Sequence, residues 1–491
     1  MAEADGGAER SAPGEGATAL TLSPSGVEGL DDVLRGGLPS GALHLLQGPP
    51  GSGKTTTALQ FLREGVSRGE RGLYVTLSQT EAELRRIAGS FGWSLDGIEI
   101  IELSTQAEVT QVEQTIFQTA DLRLDQTRQT IEQAIAERGP RRIVYDSLLE
   151  VRLLTVDYPR YQRELIGLRA FLSKRGITGL LLDTTSIGEA LHDTQSRGVV
   201  HGVITLDKRL PEFGRARRRI EVSKMRGVPV HDGWHDMDIR EGRGVVVFPR
   251  LAPKERPARD AVQGGELIRS GRAELDDLFG GGMEPGTTTM VVGQAGTGKS
   301  TIASLYAAAA LKRGESVALF LFEERVETFF RRSEGLGMDL RDQHGAGRLK
   351  LFDFNPDEIS AGEFTQLVTK VGADASLRVV VIDSFTGYMS ALGDERQALF
   401  DIQTLLKHLS RRGVLTFLIV AQHGLVGRNA EVRMDMSFLG DTVLLLRMHE
   451  RDGRMRRDLI AVKKRHGPHG MDVRELIIAP RRVDVGERPP E

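Results

Sequence analysis

Two copies of one glycine-rich loop constrain the fold of this 491-residue chain more than any other feature. The pattern GxxxxGK(S/T) occurs at Gly48–Thr55 and again at Gly293–Ser300, each time between a strand-like apolar run and a helix-like run. The lysines of the two copies are 245 positions apart, and Leu30-Asp31-Asp32 returns at the same distance as Leu275-Asp276-Asp277. Repeats at one fixed distance indicate a tandem duplication. We therefore expect two domains of similar fold.

The loop pattern is that of a P-loop, which binds the phosphates of a nucleotide. Its glycines let backbone N–H groups turn toward the phosphates at a helix N-terminus, its lysine adds a cation at the β- and γ-phosphates, and its final hydroxyl binds Mg²⁺. We therefore predict ATP and Mg²⁺ as ligands. The candidate ATP-binding residues are Gly48, Gly51, Ser52, Gly53, Lys54, Thr55 and Thr56 in the first copy, and Gly293, Gly296, Thr297, Gly298, Lys299, Ser300 and Thr301 in the second.

An aspartate follows a later apolar strand in each half of the chain. Asp146 lies 92 residues after the first P-loop lysine, and Asp383 lies 84 residues after the second. An aspartate after a strand is often a helix cap. Downstream of a P-loop, however, the carboxyl edge of such a strand is where the Mg²⁺ shell is bound. We predict that Thr55 and Asp146 bind the metal in the first half, and Ser300 and Asp383 in the second.

Apolar strands alternate with helical segments through both halves. This alternation is typical of a mostly parallel sheet covered by helices on both faces. We therefore predict an α/β fold of two tandem P-loop domains, each built on a twisted, mostly parallel sheet. A polar stretch at Thr110–Glu137 is expected to form a helical excursion on the surface. The predicted boundaries are a disordered tail at 1–18, a first domain at 19–248, a linker at 249–263, a second domain at 264–483 and a disordered tail at 484–491.

Composition restricts the class of protein. The chain has no cysteine, which excludes disulfides and thiolate metal sites, and its longest apolar runs are too short to span a bilayer as helices. Because no segment resembles a signal peptide, we predict a cytoplasmic protein without a membrane anchor. A net charge of −3 argues against nucleic acid as a partner, although the runs Arg215–Arg219 and Arg454–Arg457 leave a local basic patch open.

Each half closes with a basic segment. The three residues Lys224, Met225 and Arg226 return 239 positions later as Lys463, Lys464 and Arg465. Two cations at i and i+2 on a strand point to one face, where they suit the phosphates of a neighbouring subunit. The alternative is a solvated edge strand that charge protects from aggregation. Because the segment is duplicated, we favour the first interpretation and add all six residues to the candidate ATP-binding set.

Taken together, these blocks resemble the KaiC family of circadian clock proteins. The resemblance rests on "EGLDDVLRGGLPSG", "GPPGSGKT", "GQAGTGKST", "LFEER" and "KMRG", and it extends from about Gly26 to about Ile478. It implies two RecA-like domains, a homohexameric double ring with ATP between subunits, and slow ATPase activity. It also implies Ser/Thr autophosphorylation in some members, and clock-type or signalling protein partners.

The resemblance also assigns catalytic residues. In the family, a Glu-Glu pair after the strand that follows the P-loop helix activates the attacking water, and Glu323 and Glu324 match it here. Glu324 lies 25 residues after Lys299, and the residue 25 positions after Lys54 in the first half is Gln79. A neutral amide can orient water but cannot accept its proton. We therefore expect the second domain to hydrolyse ATP and the first mainly to bind it and support assembly, with Glu81 as the alternative base.

Two further departures concern phosphorylation and partners. The family's phosphorylated Ser-Thr pair falls on Ser437 and Phe438, so only the serine is kept. Ser437 is the candidate phospho-acceptor, and a purely structural hydroxyl is the alternative. The chain ends soon after Arg482, so we expect most of the segment through which KaiC meets its clock partners to be absent.

The leading functional prediction is a KaiC-like, ATP-hydrolysing homohexamer with a signalling or timing role and a possible Ser/Thr autokinase activity. Two other classes share its sequence features. A DNA-dependent ATPase of the RecA or helicase kind would have the same core fold, since fold does not determine function. A nucleotide-gated interaction scaffold would use ATP only for ring assembly, which fits Gln79 but not the Glu323-Glu324 pair.

Overall fold

The computed structural model describes residues 20–103, 128–149, 152, 158–184, 196–210, 215–251, 265–355, 358–392, 395–422 and 436–486. The chain divides into two compact units, one of residues 1–208 and 218–247 and the other of residues 209–217 and 248–491. The predicted tail at 1–18 and residues 252–263 of the predicted linker lie outside the described residues. Of the predicted excursion, residues 128–138 are described and form a helix that buries Ile131 and Ile135.

The first unit contains eleven named strands. They are β1 (Leu22–Ser23), β2 (Leu38–Pro39), β3 (Leu43–Gly48), β4 (Gly72–Thr76), β5 (Ile98–Glu102), β6 (Arg142–Asp146), β7 (Thr178–Thr184), β8 (Gly202–Arg209), β9 (Arg217–Met225), β10 (His235–Arg240) and β11 (Gly244–Phe248). Its helices are α1 (Leu30–Val33), α2 (Lys54–Ser67), α3 (Glu81–Ser90), α4 (128–138) and α5 (Tyr158–Lys174).

The second unit repeats this plan. Its strands are β12 (Thr288–Gly293), β13 (Ser316–Leu321), β14 (Leu349–Asp353), β15 (Leu377–Asp383), β16 (Leu415–Ala421), β17 (Thr442–Arg451), β18 (Arg454–Lys464), β19 (Arg474–Ala479) and β20 (Arg482–Val485). Its helices are α6 (Ala273–Leu278), α7 (Lys299–Lys312), α8 (Val326–Gly335), α9 (Arg341–Gly345), α10 (Ala361–Gly372), α11 (Phe385–Leu392) and α12 (Glu395–Ser410).

The two main sheets have the same strand order. It is β11-β10-β9-β8-β3-β7-β6-β4-β5 in the first unit and β20-β19-β18-β17-β12-β16-β15-β13-β14 in the second. Six neighbouring strands in each sheet pair in parallel. They are β8-β3-β7-β6-β4-β5 in the first unit and β17-β12-β16-β15-β13-β14 in the second. The P-loop strands β3 and β12 lie inside this parallel part. The predicted α/β fold with two mostly parallel sheets is confirmed.

An antiparallel extension completes each sheet, and the sequence patterns did not predict it. In the second unit, β17 and β18 form a long hairpin in which Arg451 pairs with Arg454. The two turn residues, Asp452 and Gly453, both have positive φ, at 54° and 71°. Positive φ at both central residues is the backbone of a type I′ hairpin turn, whose twist matches that of the strands. The last strand reaches the buried Val485, so folded chain continues past the expected tail boundary at 484.

Both faces of each sheet are buried. On β12, Val291 belongs to a core cluster with Tyr306 of α7, and the next residue, Val292, belongs to a different cluster with Leu405 of α12. Successive strand residues point to opposite faces, so helices cover both sides. Hydrophobic burial on two faces accounts for the uninterrupted apolar runs of these strands. No helix among the described residues is long and apolar enough to cross a bilayer.

Candidate functional site

Both glycine-rich loops lie between the strand and the helix that the sequence predicts. The first connects β3 to α2, and the second connects β12 to α7. The first glycine of each loop has no room for a side chain. A Cβ on Gly48 would lie 2.7 Å from the Leu206 carbonyl oxygen, and a Cβ on Gly293 would lie 2.5 Å from that of Leu446. Close packing against the neighbouring strand therefore requires glycine at both positions.

The two loop lysines make similar contacts. Lys54 Nζ donates to the carbonyl oxygens of Gly48 at 2.7 Å and Pro49 at 3.1 Å, and Lys299 Nζ donates to that of Gln294 at 2.7 Å. Burial lowers the pKa of each lysine, and a nearby aspartate opposes that shift. Both ammonium groups are thus held at their loops, beside the N-terminus of a helix, where phosphate binding is favoured.

Two buried polar atoms of the loops have no hydrogen-bond partner among the described residues. They are Oγ of Ser52 in the first loop and Oε1 of Gln294 in the second. An unpaired buried polar atom is destabilising, and it is uncommon unless a ligand or water satisfies it. These atoms fit loops that bind a polar ligand such as a nucleotide phosphate.

The metal-site residues of the second unit lie together. Asp383 ends β15, and its carboxylate forms a hydrogen bond with the Ser300 side chain at the start of α7. Burial raises the pKa of Asp383, while that hydrogen bond and the Arg332 charge oppose the shift. A carboxylate and a hydroxyl are oxygen donors of the kind Mg²⁺ prefers. The pair therefore fits a magnesium site next to the P-loop.

The two glutamates of the second unit have different partners. Glu323 accepts a hydrogen bond from Ser384 Oγ, which directly follows the metal-site aspartate in the chain. Glu324 accepts two hydrogen bonds from the Arg332 guanidinium of α8, at 2.9 and 3.1 Å. A bidentate pair of this kind fixes the orientation of a carboxylate. The sequence analysis missed Arg332, because its role depends on where α8 packs.

The matching residues of the first unit differ. The backbone of Gln79 is held by Thr76, whose Oγ1 lies 2.8 Å from the Gln79 carbonyl oxygen and 3.0 Å from its nitrogen. Its side-chain Oε1 is buried without a partner among the described residues. The alternative base, Glu81, is half-exposed at the start of α3 and forms an ion pair with Arg85 at 2.7 Å. The carboxylate of Glu81 is thus engaged at the surface of α3.

Asp146, the aspartate predicted to bind metal in the first unit, has a partner that Asp383 lacks among the described residues. The hydroxyl of Tyr74 on β4 donates to Asp146 Oδ2 at 2.5 Å, and the Thr55 side chain is its other hydrogen-bond partner. Burial, followed by the Asp146 charge, raises the pKa of Tyr74 well above its usual value, so the hydroxyl is a neutral donor. A second acidic residue, Asp183 at the end of β7, forms a buried ion pair with Arg152. The sequence analysis assigned no role to these additional residues.

The basic segments lie away from the P-loops of their own units. Lys463 pairs with Val443 near the start of β17. Gly293, at the end of the P-loop strand, pairs with Leu446, which lies about 10 Å beyond Val443 along β17. Lys463 Nζ donates to the carbonyl oxygens of Ser437 and Gly440 at 2.9 and 2.8 Å. In the first unit, Lys224 Nζ similarly donates to the carbonyl oxygen of Val200 at 2.8 Å.

The middle residue of each basic segment points the other way. Lys464 forms an ion pair with Glu284 at 3.0 Å and is almost fully buried, and Met225 packs against the core of its own unit. Arg226 and Arg465 share the outward face with the first lysines, since side chains alternate along a strand. Met225 and Lys464 can therefore contribute only backbone atoms to a binding site formed by the outward cations.

One arginine from each basic run contacts a P-loop directly. Arg218 Nε donates to the Gly51 carbonyl oxygen at 3.3 Å, and Arg457 Nε donates to that of Gly296 at 3.1 Å. The two arginines are 239 positions apart, as are the basic segments. The 239-residue repeat distance could therefore have predicted this pair of arginines as well as the lysine segments.

The predicted phospho-acceptor lies at the surface. Ser437 begins a short 3₁₀ turn, Ser437–Leu439, and both it and Phe438 are exposed. Its backbone carbonyl accepts the hydrogen bond from Lys463 described above. The serine is therefore next to the outward basic pair of the second unit.

A P-loop, an aspartate at the end of a neighbouring strand and a mostly parallel sheet, each present twice, define a tandem P-loop nucleotide-binding protein. Comparison with known proteins identifies the family. The model of the KaiC ATPase family matches residues 23–252 and 268–489. The chain belongs to the KaiC family of ATPases.

Several named relatives align with nearly the whole chain. The circadian clock protein KaiC3 of Synechocystis sp. is 27% identical over 473 residues, covering 94% of this chain and 91% of that protein. The circadian clock oscillator protein KaiC of Thermostichus vulcanus is 26% identical over 474 residues, covering 94% and 88%. That of Prochlorococcus marinus is 27% identical over 468 residues, covering 93% and 90%.

Proposed function

We propose that this protein is an ATP-hydrolysing homohexamer with a signalling or timing role, in which the second domain hydrolyses ATP and the first binds ATP to support assembly. One observation carries this proposal. Glu323 and Glu324 lie beside the second P-loop, whereas Gln79 occupies the matching position beside the first. A carboxylate can accept a proton from water and an amide cannot.

In the second site, each residue has a distinct task. Lys299 binds the β- and γ-phosphates, and Glu323 or Glu324 accepts the proton of the attacking water. Ser300 and Asp383 would hold Mg²⁺, which would neutralise charge on the phosphates. Positioning and charge stabilisation account for most of the catalysis of phosphoryl transfer.

The first site has the residues for phosphate binding, but it has Gln79 where the second site has Glu324. Its loop and Lys54 bind phosphates, and the outward Lys224 and Arg226 bind the nucleotide of the adjacent subunit. A nucleotide held between two subunits stabilises the assembled ring by mass action. The relatives that are named as circadian clock proteins support the timing role.

We expect ATP turnover by the purified protein to change by less than about twofold when DNA is added, because the net charge of the chain is −3. Phosphate release measured with and without single-stranded DNA, at low and high salt, tests this. Turnover that requires DNA and falls steeply with salt would favour a RecA-like or helicase-like ATPase instead.

A second candidate activity is autophosphorylation at Ser437. The serine is exposed and lies next to Lys463, in a region proposed to face the ATP of the neighbouring subunit. A positioned hydroxyl there competes with water for the γ-phosphoryl group, with Glu323 or Glu324 accepting its proton. Because Phe438 has no hydroxyl, this pair can carry at most one phosphate.

We expect intact-mass analysis after long incubation with ATP and Mg²⁺ to find one added phosphate per chain, and none in Ser437→Ala. The hydroxyl is the only group that this substitution removes from the exposed turn. Wild-type protein that gains no phosphate, or phosphate that persists in the variant, would contradict this assignment.

A further inference from the structure

The first metal site contains a buried hydroxyl that the proposed ATPase cycle does not use. Tyr74 is fully buried, and its hydroxyl lies 2.5 Å from Oδ2 of Asp146. The same hydroxyl forms a hydrogen bond with Thr55. It therefore bridges the two residues that would hold Mg²⁺ at this site.

Among the described residues, no such group lies at the second metal site. The residue 245 positions after Tyr74 is Leu319, and strand pairing gives the same equivalence. Tyr74 lies opposite Val144 and Leu319 opposite Val381, in each case two residues before the metal-site aspartate. Leu319 is buried among apolar residues, and Asp383 has the Ser300 side chain as its hydrogen-bond partner. The hydroxyl thus distinguishes two otherwise similar sites.

A phenol in this position competes with Mg²⁺ for the same carboxylate. An ionised aspartate has about four acceptor positions, and the aspartate of a P-loop site commonly binds the magnesium shell through water. The Tyr74 hydroxyl takes one of these positions permanently and partly compensates the Asp146 charge without a metal. The gain in nucleotide affinity that Mg²⁺ provides is then smaller at the first site.

We propose that Tyr74 is a positioning residue that makes nucleotide retention at the first site less dependent on Mg²⁺ than at the second. This inference rests on the proposed role of the first domain as an ATP-binding unit. A ring held together by such sites keeps its nucleotide and its assembly when free Mg²⁺ varies, while hydrolysis in the second domain responds to the metal.

The test measures binding of a fluorescent ATP analogue, in Mg²⁺ and in EDTA, to the full chain with one site silenced. Lys299→Ala isolates the first site, and Lys54→Ala isolates the second at a protein concentration high enough to keep the chains assembled. In the Lys299→Ala chain, we expect Tyr74→Phe to raise the ratio of affinity in Mg²⁺ to affinity in EDTA by about tenfold, as is typical for a hydrogen bond to a charged group. Tyr74→Phe removes one oxygen and keeps the ring in the core.

The second site provides the reciprocal control. In the Lys54→Ala chain, Leu319→Tyr is expected to lower the same ratio relative to Leu319→Phe, because the two variants differ only in the hydroxyl. An unchanged ratio in Tyr74→Phe, with the analogue still bound at the first site, overturns the role of Tyr74 alone. Failure of the analogue to bind the first site in either condition overturns both this inference and the proposed binding role.

Discussion

Replacing Lys299 by alanine is expected to lower ATP turnover by roughly 10²–10³-fold, which is typical for the loss of one group that stabilises transition-state charge. Lys299 is 9% exposed and lies near the carboxylates of Asp383 and Glu323, at the site that has the Glu323-Glu324 pair. No other described residue of the second loop supplies a cation at that position. Steady-state phosphate release at saturating ATP is the measurement.

Lys54→Ala is the matched control, since it makes the same change in the equivalent loop. We expect it to lower turnover per chain by less than about tenfold at high protein concentration, and to weaken assembly instead. Molar mass by light scattering, recorded on the same samples, separates the two effects. Equal loss of turnover in both variants, with assembly intact in both, would contradict the division of labour.

Adding ATP and Mg²⁺ is expected to convert smaller species into a hexamer, which raises the molar mass about sixfold relative to the monomer. The physical reason is the position of the outward basic pairs. Lys463 lies about 10 Å along the sheet from the P-loop strand end of its own unit, so it reaches phosphates only across a subunit boundary. A monomer at saturating ATP, without larger species, would contradict this.

Two lysine variants test whether charge at this position matters for assembly. Lys463→Ala should shift the ATP-dependent mass increase to higher protein concentration. Lys370→Ala removes the same charge from the exposed end of α10 and should leave assembly unchanged. Thermal unfolding of each variant checks that Lys463→Ala, which also loses two hydrogen bonds within its unit, still folds.

Features that are contiguous in sequence were predictable. The P-loops around Lys54 and Lys299 follow a local pattern, and the aspartates Asp146 and Asp383 each end an apolar strand. Each of these features occurs twice in the chain, so the second copy supports the interpretation of the first. The parallel sheets followed from the alternation of strands and helices, because parallel strands need long crossover connections.

Features that depend on packing between separated segments were not predictable. Tyr74 reaches Asp146 from a neighbouring strand 72 positions earlier in the chain, and nothing in the local pattern of β4 marks that contact. Arg332, in the last turn of α8, contacts Glu324, which precedes that helix. The antiparallel extension was missed because its strands were read for their charges, and the turn residues Asp452 and Gly453 were not used as a hairpin signal.

In the proposed function, one chain carries a site that hydrolyses ATP and a site that retains it. The most direct test is the fate of nucleotide bound to the Lys299→Ala protein, isolated after incubation with ATP and Mg²⁺ and analysed by chromatography. Since the first site has Gln79 in place of a carboxylate base, we expect the retained nucleotide to be intact ATP. Conversion of that nucleotide to ADP at the wild-type rate would contradict it.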